Sequence, residues 1–508
     1  MQQAIDEVRS ELGGDYALVI NGHAEDGRTS ISSRNPSDTS EIVGTVAAAS
    51  DDQAVAAVEA ASRAWAGWSR TETKYRAEYL ELIAAEMRNR RFELAAWIVL
   101  ESGKPWADAD LEVAEAIDYC MYYSTEMRTL DEATTTELPG ESNSLVYRSR
   151  GVCVLISPWN SPLSVITGML SAAIVSGNTV VMKPAETASV VGAKLMEICR
   201  NAGIPDGVVN FLPGIGEDIG PVLVSCPDVD VIVFTGTREV GLEINQMAAV
   251  TDERQRAVTK VIVEMGGKNA IIVDDDADLD EAVPGVVKSA FGFSGQHCSS
   301  CSRVIVVKNA YDKFVKRLLE ACESLAIGGA DEPSTVVGPV VDSDAVERLE
   351  QFVENIDEEE ATLALTLDVD ALKEQGNFVG PSIFTDVDPD SLLLKNEFLG
   401  PILSVIKAKD IDHAIAIAND TDYALTGGIY SRSPGNLKKA KLDIEVGNLF
   451  INRQITSTQV GRHPFGGYRM SGTGVKAGSV DYLTQFLIPV VVTENTSKAG
   501  IADSAPKK

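Results

Sequence analysis

The chain has 508 residues, 44% of them apolar, and 75 acidic against 44 basic side chains give it a formal charge of −31. Its length predicts two to four domains, and its charge excludes a nucleic-acid partner, which needs a basic footprint. No apolar run approaches the roughly 18 residues of a membrane span, so no membrane partner is expected, and the polar residues 1–13 hold no apolar signal core.

The first predicted helix carries Ala54, Val58, Ala61 and Trp65 at helical spacing. A helical tract follows over residues 75–127, interrupted at Gly103 and Pro105. Residues 130–150 read as an extended polar connector. From Gly151 the pattern changes. Short β-branched runs at 152–156, 179–182, 208–212, 229–234 and 261–263 alternate with helical stretches at 164–175, 189–202 and 240–249. Such alternation predicts a parallel sheet flanked by helices. Beyond a boundary near 265–270 a second series begins. Its expected strands are 270–273, 303–307, 336–341, 403–408, 427–430 and 448–452, with helices at 311–325 and 344–356. Residues 482–492 read as a strand leaving this unit, and 496–508 as a flexible tail.

Seven cysteines, odd in number and scattered, are no disulfide framework and fit a reducing cytoplasm. Cys298 and Cys301 are the one close pair. With no second such pair and only His297 beside them, no metal is expected. The acid excess reads as a densely hydrated, halophile-like surface suited to a salty cytoplasm.

Five short stretches carry candidate chemistry. Cys298 follows Gly295-Gln296-His297 and is either a nucleophile or a buried structural thiol. Glu264 ends an apolar run before Gly266 and Gly267, as a strand-end cap or a general base. Asn160 sits between Pro158 and Pro162, where its amide is a turn element or an oxyanion donor. Lys183 and Glu186, three residues apart after a strand, could grip a ribose. In residues 234–241 a strand, a glycine turn at Gly236 and a helix start offer backbone N–H groups to a pyrophosphate, though without the full dinucleotide fingerprint. A second glycine-rich stretch, 214–220, reads as a plain turn, since Glu217 and Asp218 would repel phosphate.

The order and spacing of these pieces resemble the aldehyde dehydrogenase superfamily from about residue 15 to residue 495. The matching motifs are Pro158-Trp159-Asn160, Lys183-Pro184-Ala185-Glu186, Phe234-Thr235-Gly236, Glu264-Met265-Gly266-Gly267-Lys268, Gly295-Gln296 with Cys298, Glu397-Phe398 with Gly400-Pro401, and Pro464-Phe465-Gly466-Gly467. The resemblance implies an α/β fold with three parts. A Rossmann-type NAD-binding domain would span 1–128 and 150–265, and an α/β catalytic domain 266–470. A small β bridging element, 129–149 and 480–495, would mediate assembly into a homodimer or higher homo-oligomer. It implies that Cys298 attacks an aldehyde, that Asn160 and the Cys298 N–H hold the oxyanion, and that Glu264 activates the water that hydrolyses the thioester. A CoA-acylating relative would tend to lack that base. NAD would be held by Lys183, Glu186, Gly236, Thr237, Gly241 and Trp159, with Glu397 on the nicotinamide ribose and Phe398 near the ring. A carboxylate at Glu186 would repel a 2′-phosphate and favour NAD over NADP.

Residues 289–303, 115–119, 463–467, 476–478 and 481–483 resemble one branch, the pyrroline-5-carboxylate (glutamate semialdehyde) dehydrogenases. In that branch Ser299 helps hold the substrate carboxylate, Glu115 meets the ammonium group and Phe465 packs on the chain between. This sequence departs from the branch at Ser161, where an aromatic is usual. It departs again at Ser457 and Thr458, where a glycine-containing pair normally anchors the carboxylate. Another aldehyde carrying a carboxylate is the alternative substrate.

Overall fold

The computed structural model describes residues 1–357 and 359–496, so the expected flexible tail lies, past Thr496, outside the described residues. A seven-stranded sheet organises the first half of the chain. Lys260–Glu264, Val231–Thr235, Val152–Ile156, Thr179–Lys183 and Val209–Phe211 lie side by side and parallel. Leu18–Ile20 and His23–Glu25 extend it antiparallel. Thr179–Lys183 is buried at every position, as a strand covered on both faces must be. Its period of two divides it between two cores. Val180 and Met182 join Cys153 and Leu155 under the helices Thr73–Asn89, Trp106–Leu130 and Ser164–Val175. Val181 joins Val152 and Val154 on the other face, under Asp51–Trp68, Gly216–Ser225 and Arg238–Ala248.

From Val152–Ile156 the chain winds outward on one side and then returns to the other at Val231–Thr235. At such a reversal the adjoining loops diverge and leave a crevice at the carboxyl ends of the strands. The register aligns those ends, with Ile156 opposite both Lys183 and Phe234, and Thr235 opposite Glu264.

A second seven-stranded sheet runs in the order Thr362–Thr366, Ser382–Thr385, Ile402–Ala408, Cys301–Val307, Asn269–Val273, Thr426–Tyr430 and Asn448–Ile451. All its pairings are parallel except the first. Two small sheets complete the β structure relevant here. Thr134–Leu138 and Glu141–Ser149 form a hairpin that pairs antiparallel with Leu487–Asn495. Gly14–Tyr16, Asp38–Ala48 and Thr29–Asn35 form another, which hydrophobic patterning did not announce. No helix among the described residues is long and apolar enough to cross a membrane.

Four expectations change. The connector over 130–150 is a hairpin, turned at Gly140 with φ +86°. Its Ser- and Thr-rich strands pair with each other, and Glu141–Ser149 finds its second partner, Leu487–Asn495, far away in sequence. The helical tract breaks at Arg90 as well as at Gly103, giving Thr73–Asn89, Arg91–Ser102 and Trp106–Leu130. The strand expected at 482–492 starts only at Leu487, because the Ser479 hydroxyl caps a short helix, Val480–Gln485. Residues 336–341 form no regular strand. Their backbone is taken up by side chains and by another loop: Gln296 Oε1 accepts from Val341 N at 2.9 Å, Ser294 Oγ donates to Gly338 O at 2.7 Å, and Val340 N donates to Asn377 O at 2.7 Å.

Candidate active site

A cavity of about 520 Å³ opens at the carboxyl ends of the first sheet, where the second sheet closes over it. Cys298, Glu264 and Asn160 all line it. Each is delivered by a different piece of backbone. Asn160 follows Val152–Ile156, Glu264 ends Lys260–Glu264, and Cys298 lies just before Cys301–Val307.

The loop leading to Cys298 is built against the grain of its residues. Phe293, Ser294 and Gly295 all have positive φ, at 50°, 56° and 69°. Only the last is a glycine, and the other two store strain of about 1–3 kcal/mol each. Surrounding bonds hold the loop in place. Asn269 Nδ2 donates to the Cys298 and Ser300 carbonyls at 2.7 and 2.9 Å, and Gln296 Nε2 to Phe293 O and Pro339 O at 3.2 Å each. Burial, with Glu397 and Glu264 nearby, pushes the Cys298 thiol up to about 12. Cys301 is different. It is buried in the second core, and its Sγ lies 3.3 Å from Arg303 O.

The Asn160 amide donates one N–H to Gln296 O at 2.7 Å. An amide has two such donors, so the second is left for the cavity. Glu264 accepts from Gly467 N at 3.0 Å through Oε2, and its Oε1 has no partner. Burial pushes this carboxyl well above the usual carboxylate range, against the pull of Gly467 N–H and the Lys476 charge.

The other end of the cavity suits a dinucleotide. Thr237 caps Arg238–Ala248, and this helix start, with its unpaired N–H groups, opens on the cavity. Lys183 Nζ pairs with Glu186 Oε1 at 2.9 Å at the cavity wall. Glu397, held by Gly267 N at 3.0 Å, lines the stretch between. A Cβ on Gly216 would sit 3.3 Å from Glu186 Oε1, so the missing side chain keeps this corner clear.

Residues 23–492 match the model of the aldehyde dehydrogenase family. The chain belongs to this family. It is 44% identical over 492 residues to a 1-pyrroline-5-carboxylate dehydrogenase of Geobacillus kaustophilus, covering 97% of this chain and 95% of that one. Among solved structures it resembles the 1-pyrroline-5-carboxylate dehydrogenase from Thermus with bound NAD, at 43% identity and a TM-score of 0.94, covering 97% and 95%. It also resembles proline utilization A from Bdellovibrio bacteriovorus, at 47% identity and a TM-score of 0.96. There the match covers 99% of this chain and 52% of the other, so the chain spans about half that protein's length.

The aldehyde dehydrogenase motifs do not all converge. Besides the three residues above, Trp159, Lys183, Glu186, Gly236, Thr237, Glu397 and Phe465 line the cavity. Phe398 does not. Its ring packs on Phe352, with centroids 4.1 Å apart, and the neighbouring Leu399 faces the cavity instead. Gly241 is buried in the helix, where a Cβ would meet Met265 Sδ at 2.7 Å, so it allows close packing. Ser299 and Glu115 lie off the cavity wall, as do Ser457 and Thr458. The Ser299 carbonyl accepts from Thr426 Oγ1 at 3.3 Å. Glu115 stands one turn before the cavity-lining Tyr119, its carboxyl pushed up to about 7 by burial. Ser457 takes φ +66°, the glycine-like conformation its position calls for, at a cost of about 1–2 kcal/mol.

Sequence reading missed Tyr119, Gly168, Met169 and Tyr482 on the cavity wall. Tyr119, Tyr123 and Tyr482 stack at 5.8 and 6.0 Å, and Gly168 leaves room for the Tyr119 ring. Their helical spacing marks them as core, and nothing local separates a core tyrosine from a pocket one. Glu217, expected in a plain turn, stands instead in the first turn of the helix Gly216–Ser225 and lines the cavity beside Gly216.

Proposed function

We infer that this enzyme oxidises glutamate 5-semialdehyde, the open form of 1-pyrroline-5-carboxylate, to glutamate through a thioester on Cys298. The observation that carries the reading is the convergence of Cys298, Asn160 and Glu264 on one cavity whose other end fits NAD. NAD, when bound, supplies the acceptor for the hydride that leaves the aldehyde carbon. Lys183 and Glu186 would hold its adenosine ribose, the helix start at Thr237 its pyrophosphate and Glu397 its second ribose. The Cys298 thiol gives up its proton to solvent as its sulfur adds to the aldehyde carbon. The free N–H of Asn160 and the Cys298 N–H stabilise the oxyanion, each donor contributing about 3 kcal/mol, and collapse of the oxyanion with loss of hydride leaves the thioester. Glu264 takes a proton from the water that attacks the thioester, releasing the acid and regenerating the thiol. Phe465 and Tyr119, both on the cavity wall, flank the chain of the substrate.

A second reading, another aldehyde with a carboxylate, is favoured by Ser161, which faces the cavity with a small polar side chain. NADH formation with 1-pyrroline-5-carboxylate, aliphatic, aromatic and ω-carboxylated aldehydes separates the two. The expected kcat/KM is highest for 1-pyrroline-5-carboxylate and is abolished in Cys298→Ala but kept in Cys301→Ala. Preference for another aldehyde would move the assignment to it. We further propose a cytoplasmic homo-oligomer, supported by the seven unpaired thiols and the open edges of the small three-stranded sheet.

A further inference from the structure

Lys104 is 2% exposed, yet it carries a charge, and its bonds run to the parts of the active site that must hold still. Its Nζ donates to the backbone carbonyl of Asn160 at 2.7 Å and pairs with Glu112. Glu112, itself 4% exposed, accepts from Leu163 N at 2.8 Å and Ser164 N at 3.2 Å, at the start of the helix that follows Asn160. The same ammonium stands 4.8 Å from the ring centroid of Phe293, in the strained nucleophile loop. Phe293 O accepts from Gln296 N and Nε2 at 3.1 and 3.2 Å, and Gln296 O accepts the Asn160 amide at 2.7 Å. The contacts close a circuit from Lys104 through Asn160, Gln296 and Phe293 back to Lys104.

We propose that Lys104, with Glu112 as its counter-charge, is a positioning residue that sets the Asn160 amide and the Cys298 loop relative to each other. The physical reason is the geometry an oxyanion donor needs. Its N–H must lie at hydrogen-bond distance from where the charge develops, and the donor must not reorient as it develops. Asn160 is on one sheet's loop and Cys298 on another's. A buried point charge binding both segments fixes their separation more firmly than the single Asn160–Gln296 bond. The Glu112 carboxylate neutralises it and, through the helix start, holds the Asn160 backbone from the far side. An arginine in its place would keep the charge but change the reach and the donor geometry.

The inference rests on Asn160 being the oxyanion donor, so the test measures both. Single-turnover NADH formation with enzyme in excess over 1-pyrroline-5-carboxylate is recorded for Asn160→Ala, Lys104→Met, the double variant and Lys104→Arg, per site titrated with NADH. Asn160→Ala is expected to slow hydride formation by about 10²-fold. Lys104→Met is expected to slow it by a similar factor, with NADH affinity unchanged. The double variant should be no slower than the worse single one, and Lys104→Arg should recover part of the rate. A purely structural lysine would lower the melting temperature and leave the rate per folded site unchanged, which would overturn the proposal. So would multiplying effects in the double variant. If Asn160→Ala leaves the rate intact, the assignment of Asn160 falls and this inference with it. If only Lys104→Met does so, the inference alone falls. Should Lys104→Met not fold, Lys104→Arg decides, since an unaltered single-turnover rate there overturns the proposal and a slowed rate in the folded protein supports it.

Discussion

Glu264 keeps one carboxylate oxygen on the Gly467 N–H and leaves the other without a partner inside the cavity. Burial raises its proton affinity, and only the ionised form can accept a proton from water. Thioester hydrolysis should therefore rise with pH through this raised value and be lost as pH falls below it, while hydride formation, which does not use the base, should follow a different profile. Glu264→Gln is expected to keep single-turnover NADH formation but to lower steady-state turnover by about 10²- to 10⁴-fold. Stopped-flow absorbance at several pH values reads both phases, and equal loss in the two would remove Glu264 from the hydrolytic step. At this scale the sequence was most informative where a reactive residue stood two or three positions from a glycine or proline, as at Asn160, Glu264 and Cys298. It was least informative for Lys104, Asn269 and Tyr119. A lysine after a glycine, an asparagine before a strand and a tyrosine on a helix acquire their roles only from partners far along the chain: Asn160, Cys298 and Gly168.

The hairpin Thr134–Leu138 and Glu141–Ser149 pairs along nine residues with Leu487–Asn495. Both outer strands of this sheet are edges, and Leu138 and Val491 are 56% and 70% exposed. Unpaired backbone groups beside exposed apolar side chains form a pairing surface. Val491→Glu is expected to shift the protein toward smaller assemblies in light scattering, with the far-UV circular dichroism unchanged. A single-chain mass for the unsubstituted protein would refute the assembly proposal outright. The hairpin was hidden in the sequence because it is polar and its third strand comes from the other end of the chain. Residues 336–341 erred the other way. Val336, Val337, Val340 and Val341 read as a strand, but the side chains of Ser294 and Gln296 occupy the backbone groups a ladder would use.

For the molecule as a whole the net charge of −31 dominates. Carboxylates in such excess repel one another over the roughly 10 Å Debye length of dilute buffer, and added salt shortens that range. The melting temperature is expected to rise by several degrees as KCl is raised from roughly 0.1 to 2 M, where the Debye length falls to about 3 Å or less. Calorimetry that shows no rise would make the acidic surface a matter of solubility alone.

The sequence by itself determined the class of fold, because strand and helix periods are local properties of side-chain order. It also determined the family and its chemistry, because each motif pairs a reactive residue with the glycine or proline that shapes the turn carrying it. Only the tertiary structure decided which of those residues share a cavity. Phe398 turned to Phe352 and left Leu399 to face the cleft, while Glu217, expected in a plain turn, came into it from the start of a helix. The buried circuit through Lys104 was likewise beyond the sequence. Which groups meet across two sheets depends on how strands pair and helices pack over long separations, and no local pattern encodes those distances.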